Sequence, residues 1–274
     1  MNNQTIKGNR IAKVLSRAGI ASRRQAEKII FEGRVKVNGE ILTSPAFNVL
    51  DSDIILIDGG PIAKPDEERL WCFYKPVGAV TTAKDDKNRK TIYDYFPSNV
   101  PRVMPVGRLD LNSEGLLLLT NSGELKRKLE LPSSELTRLY RVRVKGRPRE
   151  ASLDLLRSGI SIEKELFRPM KVSVDRQQGA NAWLTIELKE GKNREIRRAL
   201  SELGLQVNRL IRIEYGPFKL GNLKRGELNE INNKSVRRSL KTANIDMEKA
   251  NSNKRNQNKY SKVSRKVNEK ILKK

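Results

Sequence analysis

Between Val106 and Leu125 the chain reads VGRLDLNSEGLLLLTNSGEL. Within it, Gly115 to Thr120 (GLLLLT) is an apolar run of strand length bounded by turn residues, which fits a strand buried on both faces. Such a strand sits inside a sheet with material on each side. Arg108-Leu109-Asp110 stands just before it, a cation and a carboxylate two positions apart. Asn121-Ser122-Gly123-Glu124 follows, able to turn the chain and cap a helix running to about Leu129. Asp110 therefore lies on a loop held against a rigid central strand, a common way to present a reactive group. On spacing alone it could equally be a structural Asp in a polar turn.

The rest of the composition narrows the chemistry. The 274 residues hold no His and one Cys. Ser-His-Asp and Cys-His catalysis and His-containing zinc sites are excluded, as are sites built from four cysteines. No metal site is expected. Neither a GxxxxGK[ST] loop nor a GxGxxG turn occurs, so no nucleotide cofactor is signalled. Catalysis has to rest on carboxylate, Tyr, Lys, Arg, Ser or Thr groups. Cys72 follows Trp71 in a strand-like run and reads as a buried thiol, consistent with a reducing, cytoplasmic location. MNNQTIKGNR has no apolar signal region, and no run approaches the roughly 18 residues of a membrane span. The formal net charge of +24 calls for a polyanionic partner, nucleic acid or an anionic membrane surface.

The length suits two domains and a tail. In residues 8–62, Ile11, Val14, Leu15 and Ala18 recur at helical spacing, with Gly19 as a stop. Ser22-Arg23-Arg24-Gln25 is a capping-box pattern opening a second helix with Ala26, Ile29 and Ile30 inward. Arg34-Val35-Lys36-Val37 alternates, Asn38-Gly39 is a strong hairpin signal, and Ile54 to Ile57 reads as another strand. RIAKVLSRAGIASRRQAEKII…GRVKVNG resembles an S4 RNA-binding domain, with Lys13, Arg17, Arg23, Arg24 and Lys28 on its helices as RNA contacts. Residues 63–69 read as a linker. Residues 70–228 form the larger domain and residues 229–274 a disordered basic tail, aperiodic and poor in aromatics.

In the larger domain, Leu70 to Tyr74 is β-prone, Lys75-Pro76-Val77-Gly78 ends that run, and Val80-Thr81-Thr82 follows. Thr91 to Phe96 reads as a short helix stopped by Pro97. Arg138 to Lys145 alternates, with Tyr140, Val142 and Val144 on one row. Ser152 to Arg157 suggests a helix, and Met170–Val174 and Ala182–Leu188 suggest strands. In EGKNREIRR (Glu190 to Arg198), Asn193 suits an N-cap for a helix reaching Leu203. Arg194, Arg197 and Arg198 then share one face at i, i+3 and i+4. Val207 to Tyr215 reads as a strand.

GRLD followed by SxGLLLLTNxGEL is similar to the active-site motif of pseudouridine synthases of the RsuA/RluB type. KPVGxVTT, the K/R-x-Y-x-V pattern and EGKNREIRR match further motifs of that family over roughly residues 8–228. The resemblance implies an α+β fold: an S4-like domain, then a catalytic domain with a mainly antiparallel mixed sheet. It implies an isomerase that converts a uridine of ribosomal RNA to pseudouridine without a cofactor. Asp110 is the implied catalytic carboxylate, acting covalently or by stabilising charge. Tyr140 would stack on the base or move a proton at C5, and Arg197 would pair with Asp110. Arg108, Lys75, Arg194 and Arg198 would contact substrate RNA. NRLIRIEYGPFKLGNLKRGE looks like the RluB branch, hence large-subunit rRNA as partner; a small-subunit target is the alternative, and a monomer is expected. A non-catalytic S4-bearing ribosome-assembly protein is a rival reading. A membrane-surface protein is a poorer one, because the basic helices lack large apolar faces.

Overall fold

The computed structural model of the chain describes residues 8–243 and residue 245. The first unit opens with β1 (Asn9–Arg10), α1 (Ile11–Arg17) and α2 (Arg23–Phe31). Ser22 caps α2: its hydroxyl accepts the Gln25 N–H at 3.2 Å, and the Gln25 side chain accepts the Ser22 N–H at 3.0 Å. β2 (Val35–Val37), β3 (Glu40–Ile41), β4 (Asn48–Val49), β5 (Ile55–Ile57) and β6 (Gly60–Pro61) follow. The turn between β2 and β3 has Asn38 at φ +53° and Gly39 at φ +97°, the left-handed pair that a two-residue hairpin demands. β3-β2-β5-β6 form one small sheet, and β1 pairs with β4. Ile11, Leu15, Ala26, Ile30, Val35 and Val49 close a core of their own beneath the two helices.

The second unit holds β7 (Leu70–Lys75), a 3₁₀ turn at Ile92–Tyr95, β8 (Met104–Val106), β9 (Glu114–Thr120) and α3 (Gly123–Glu130). β10 (Arg138–Lys145), α4 (Glu150–Ser158), β11 (Ile160–Ile162), β12 (Glu165–Phe167), β13 (Lys171–Gln178) and β14 (Asn181–Leu188) come next. α5 (Glu195–Glu202), β15 (Gln206–Tyr215), β16 (Phe218–Lys219), β17 (Leu228–Ile231) and α6 (Asn233–Thr242) end the described chain. The main sheet runs β13-β14-β10-β15-β9-β7-β17, with β8 beside β9 and β16 beside β15. All its pairings are antiparallel except β15 with β9. The architecture is the α+β arrangement expected, a small sheet domain followed by a mixed, mainly antiparallel sheet.

Every residue of β9 is buried. Its side chains alternate as a strand's must. Leu117 and Leu119 join the core beneath α4 and α5, while Leu116 and Leu118 join a second core closed by α3 and α6. β7 divides likewise, with Trp71 and Phe73 on one side and Leu70 and Cys72 on the other. Full burial of each leucine contributes about 2 kcal/mol, so this strand ties both layers together.

The tail expected from Asn229 does not begin there. Residues 228–231 pair with β7, and α6 buries Val236 and Leu240 in the second core. Asn232 caps that helix by accepting the Lys234 N–H at 2.9 Å. The basic tail beyond residue 245 lies outside the described residues. The inter-domain segment is fastened at its end: Arg69 N–H donates to Asn121 Oδ1 at 2.8 Å, and Asn121 Nδ2 donates to Glu67 O at 2.8 Å. Among the described residues no helix is long and apolar enough to cross a membrane.

Candidate active site

The loop between β8 and β9 carries Asp110 and is braced from three directions. From the segment after β7, Thr81 Oγ1 donates to Leu109 O at 2.9 Å and accepts the Leu109 N–H at 3.4 Å, while Gly78 N–H donates to Leu111 O at 2.9 Å. The KPVGxVTT string thus acts as a brace for the Asp110 loop. From α3, Glu130 accepts the Gly107 N–H at 2.6 Å. From behind, Lys75 Nζ donates to Ser113 O at 2.9 Å and Pro76 O at 3.0 Å. Lys75 is wholly buried, so it does not reach substrate as expected. Burial pushes its pKa down to about 8, against the opposing pull of Asp110 and Glu114.

Asp110 opens onto a cleft of about 600 Å³ between this loop and the segment that leads into α5. Arg108, Tyr140, Arg194, Arg212 and Tyr215 line it too. Tyr140 is on the inward row of β10 as expected, packed on the core with an edge to the cleft. Arg108 is exposed at the mouth.

The expected partner of Asp110 was Arg197, and the structure places Arg194 there. Arg194 Nη1 lies 3.6 Å from Asp110 Oδ2. Arg197 is taken by main chain: Nη2 donates to Asn112 O at 2.8 Å and Nη1 to Val207 O at 3.2 Å. It secures the far side of the same loop. Its burial lowers its pKa, as does the Arg194 charge, while Asp110 pulls the other way. The expected helical face fails at its first member. Arg194 precedes α5, in the left-handed region at φ 49°, ψ 30°, and its side chain caps nothing. Asn193 is not the cap either. Arg198 turns away to Glu163 at 3.0 Å and Glu165 at 2.5 Å, and lies over the Phe167 ring. It is a structural clasp, not an RNA contact at this cleft.

Of the S4-unit cations, Arg23 and Arg24 are exposed on α2. Lys28 lies 3.9 Å from Glu32. Lys13, half-buried, and Arg17, exposed, lie 2.7 and 3.8 Å from Glu124 Oε1 on α3 of the larger domain.

Sequence reasoning missed Arg212. It is buried, its Nε donates to Leu116 O at 2.8 Å, its guanidinium stacks 5.0 Å from the Tyr215 ring, and its Nη2 has no partner. The available signal was an arginine on the inward row of β15, next but one to buried Leu210. The pair Glu190 and Glu195, both at the cleft wall, was missed as well.

The fold and cleft point to an RNA-binding enzyme: a small basic domain joined to a sheet that presents the Asp110 carboxylate beside the Arg194 guanidinium and aromatic edges in a pocket of nucleotide size. The profile for RNA pseudouridylate synthases matches residues 69–202, and the S4 domain profile matches residues 9–55. An RNA pseudouridine synthase of Rickettsia felis, named as uncharacterized, is 50% identical over 228 residues, covering 82% of this chain and 97% of that one. Ribosomal large subunit pseudouridine synthase B of Bacillus subtilis is 38% identical over 232 residues, covering 84% and 94%. A crystal structure of a pseudouridylate synthase superimposes with a TM-score of 0.58 at 27% identity, covering 84% of this chain and 99% of that chain. The chain belongs to the RNA pseudouridine synthase family, of the RsuA/RluB type with an N-terminal S4 domain. It is an isomerase acting on uridine in RNA.

Proposed function

We propose that this enzyme isomerises one specific uridine of large-subunit ribosomal RNA, with Asp110 as the catalytic carboxylate. The observation that carries the reading is Asp110 itself, on a braced loop, facing a cleft and 3.6 Å from a guanidinium. The large-subunit target is supported by likeness to the B-type synthases of Bacillus subtilis and Haemophilus influenzae, 38% and 40% identical.

The reaction breaks the bond from uracil N1 to ribose C1′, turns the base, and joins C5 to C1′. The C5 proton leaves and N1 takes one up, so the atoms balance without a redox partner. The target nucleotide has to leave its stack to reach the cleft, and Arg108 at the mouth is placed to hold the displaced backbone. Arg194, 3.6 Å from Asp110 Oδ2, holds the carboxyl aimed into the cleft. The carboxylate then either attacks carbon or stabilises charge at C1′ while the base turns. Tyr140 offers a ring for stacking or a hydroxyl for the C5 proton. Arg197 and Lys75 act one step back, by fixing the loop.

The test is a map of pseudouridines in rRNA from a strain lacking this protein, beside purified enzyme on large- and small-subunit transcripts. One missing site in large-subunit rRNA, restored by the enzyme, is expected. A missing small-subunit site would move the target to that particle.

A further inference from the structure

α5 begins with a buried carboxyl group that forms no salt bridge among the described residues, although the Lys192 charge acts on it. Glu195 is 4% exposed. Its Oε2 accepts the Lys192 N–H at 3.0 Å, and its Oε1 is buried without a donor. The group it meets is another carboxyl, Glu190, whose Oε1 accepts the Arg168 N–H at 2.6 Å. Two carboxyls in contact cannot both ionise cheaply, and one proton held between them removes the conflict. Burial, then the hydrogen bond to Glu190 and its charge, push Glu195 up to about 8. Burial works against ionising Glu190 too, but the bonds from Glu195 and the Arg168 N–H bring its pKa down.

These two residues sit at the ends of one turn. Residues 190–195 leave β14, reverse and enter α5, and Arg194 lies inside that turn in a left-handed conformation. A non-glycine residue holds such a conformation only where its surroundings enforce it. The Lys192 N–H to Glu195 bond fixes the middle of the turn, and a proton held between Glu195 and Glu190 joins its ends.

We propose that Glu195 is a positioning residue: protonated, it donates to Glu190 and closes the turn that aims Arg194 at Asp110. Ionised, it puts a second negative charge at the buried closure, the turn opens, and Asp110 loses its guanidinium. The cations around the pair face Glu190 more than Glu195. Lys192 Nζ is 3.6 Å from Glu190 Oε2 and its charge also pulls the Glu195 pKa down, Arg168 acts on Glu190 through space, and Arg138 reaches to Gly191. Arg194 points to Asp110, and Glu163 and Glu165, beside α5, are engaged by Arg198.

The experiment is kcat against pH, from 6 to 10, with RNA affinity beside it, for the wild-type protein, Glu195→Gln, Glu190→Gln and Glu195→Ala. Wild-type kcat should fall above about pH 8. Glu195→Gln donates an amide N–H to Glu190 at every pH, so it should keep most of its neutral-pH kcat and lose the fall. Glu190→Gln removes the repulsion and should flatten the same limb. Glu195→Ala should lower kcat roughly 10- to 100-fold, with RNA affinity held. A limb unchanged in Glu195→Gln would belong to Lys75, which titrates in the same range, and would overturn the proposal. Carboxyl carbon NMR reads the proton without turnover. A glutamate titrating near pH 8 and absent from Glu195→Gln supports the shared proton, and none titrating above pH 6 overturns it. The role rests on Asp110 as catalytic carboxylate. Failure of that reading would appear separately, as an active Asp110→Asn enzyme with the NMR titration intact.

Discussion

Asp110 and its two arginine neighbours show how much a side chain's role depends on backbone at single-residue resolution. Asp110→Asn keeps the shape and hydrogen-bonding reach but not the charge, so isomerisation should be lost while RNA binding is held. Tritium release from C5-labelled uridine, with filter binding alongside, measures both; substantial turnover would remove Asp110 from the chemistry. The arginines should separate. Arg194→Met should lower kcat with little change in melting temperature. Arg197→Met strands the Asn112 and Val207 carbonyls and should cost about 1–3 kcal/mol of stability. That assignment was not legible from spacing. Counting i, i+3, i+4 assumes that Arg194 is already helical, and it is left-handed one residue before the helix. Glu195 adds a stability signature. Its folded pKa is raised from 4.5 to about 8, so its contribution is full below about pH 4.5 and is lost as pH rises towards 8. The stability of Glu195→Gln relative to wild type, from urea melts at pH 5 and pH 8, should therefore be more favourable at pH 8. Lys75 runs in another window: its depressed value makes burial less costly from about pH 8 upward.

At the scale of elements, β9 and β15 depend on one glycine. Gly115 has φ +102°, and a Cβ there would stand 2.3 Å from Arg212 O and 2.8 Å from Arg212 N, where the two strands pair in parallel. Gly115→Ala should cost about 3 kcal/mol or more, from both the strained backbone and the clash. Thermal unfolding checks it, and a melting temperature within a degree of wild type would mean that the strands are not so close. The elements legible in the sequence carry redundant signals. β9 has four leucines between turn residues, α2 has a complete capping box, and the Asn38-Gly39 hairpin has its turn chemistry in place. Those that escaped have weak signals of their own. β8 and the β11–β12 pair are three residues each. α6 has only Val236 and Leu240 to bury among four cations. Its place comes from the core waiting beneath β7 and β9, a tertiary cause that a local pattern does not display.

The whole molecule divides by core and by charge. The small domain's core contains no residue beyond Ile62, and the two larger cores contain none before Leu70. Removing residues 1–62 should therefore leave the larger domain folded but weaken RNA binding, with loss of the Lys13 and Arg17 pairs to Glu124 as a minor cost. Circular dichroism and filter binding check this, and an unfolded remainder would mean that the domains are not separable.

The placement of α6 divides the C-terminal region in two. A chain cut before residue 229 loses β17 and uncovers Leu70, Cys72, Leu116 and Leu118, so it should be unstable or aggregate. A chain cut after residue 245 keeps both cores. It loses ten Lys and Arg against three Asp and Glu. Each phosphate contact with a single strand contributes about 0.7 to the slope of log K against log salt, so if half or so of those cations engage RNA the slope should flatten by roughly two to five units. Site choice should be unaffected, because a specific uridine is selected by a shaped surface and a pocket for the flipped base, which both lie before residue 245. Affinity at several salt concentrations, with pseudouridine mapping for both lengths, makes the comparison. An unchanged slope would mean that residues 246–274 do not meet RNA. A moved or lost site, in a protein that still melts like the full chain, would mean that they help to choose the uridine.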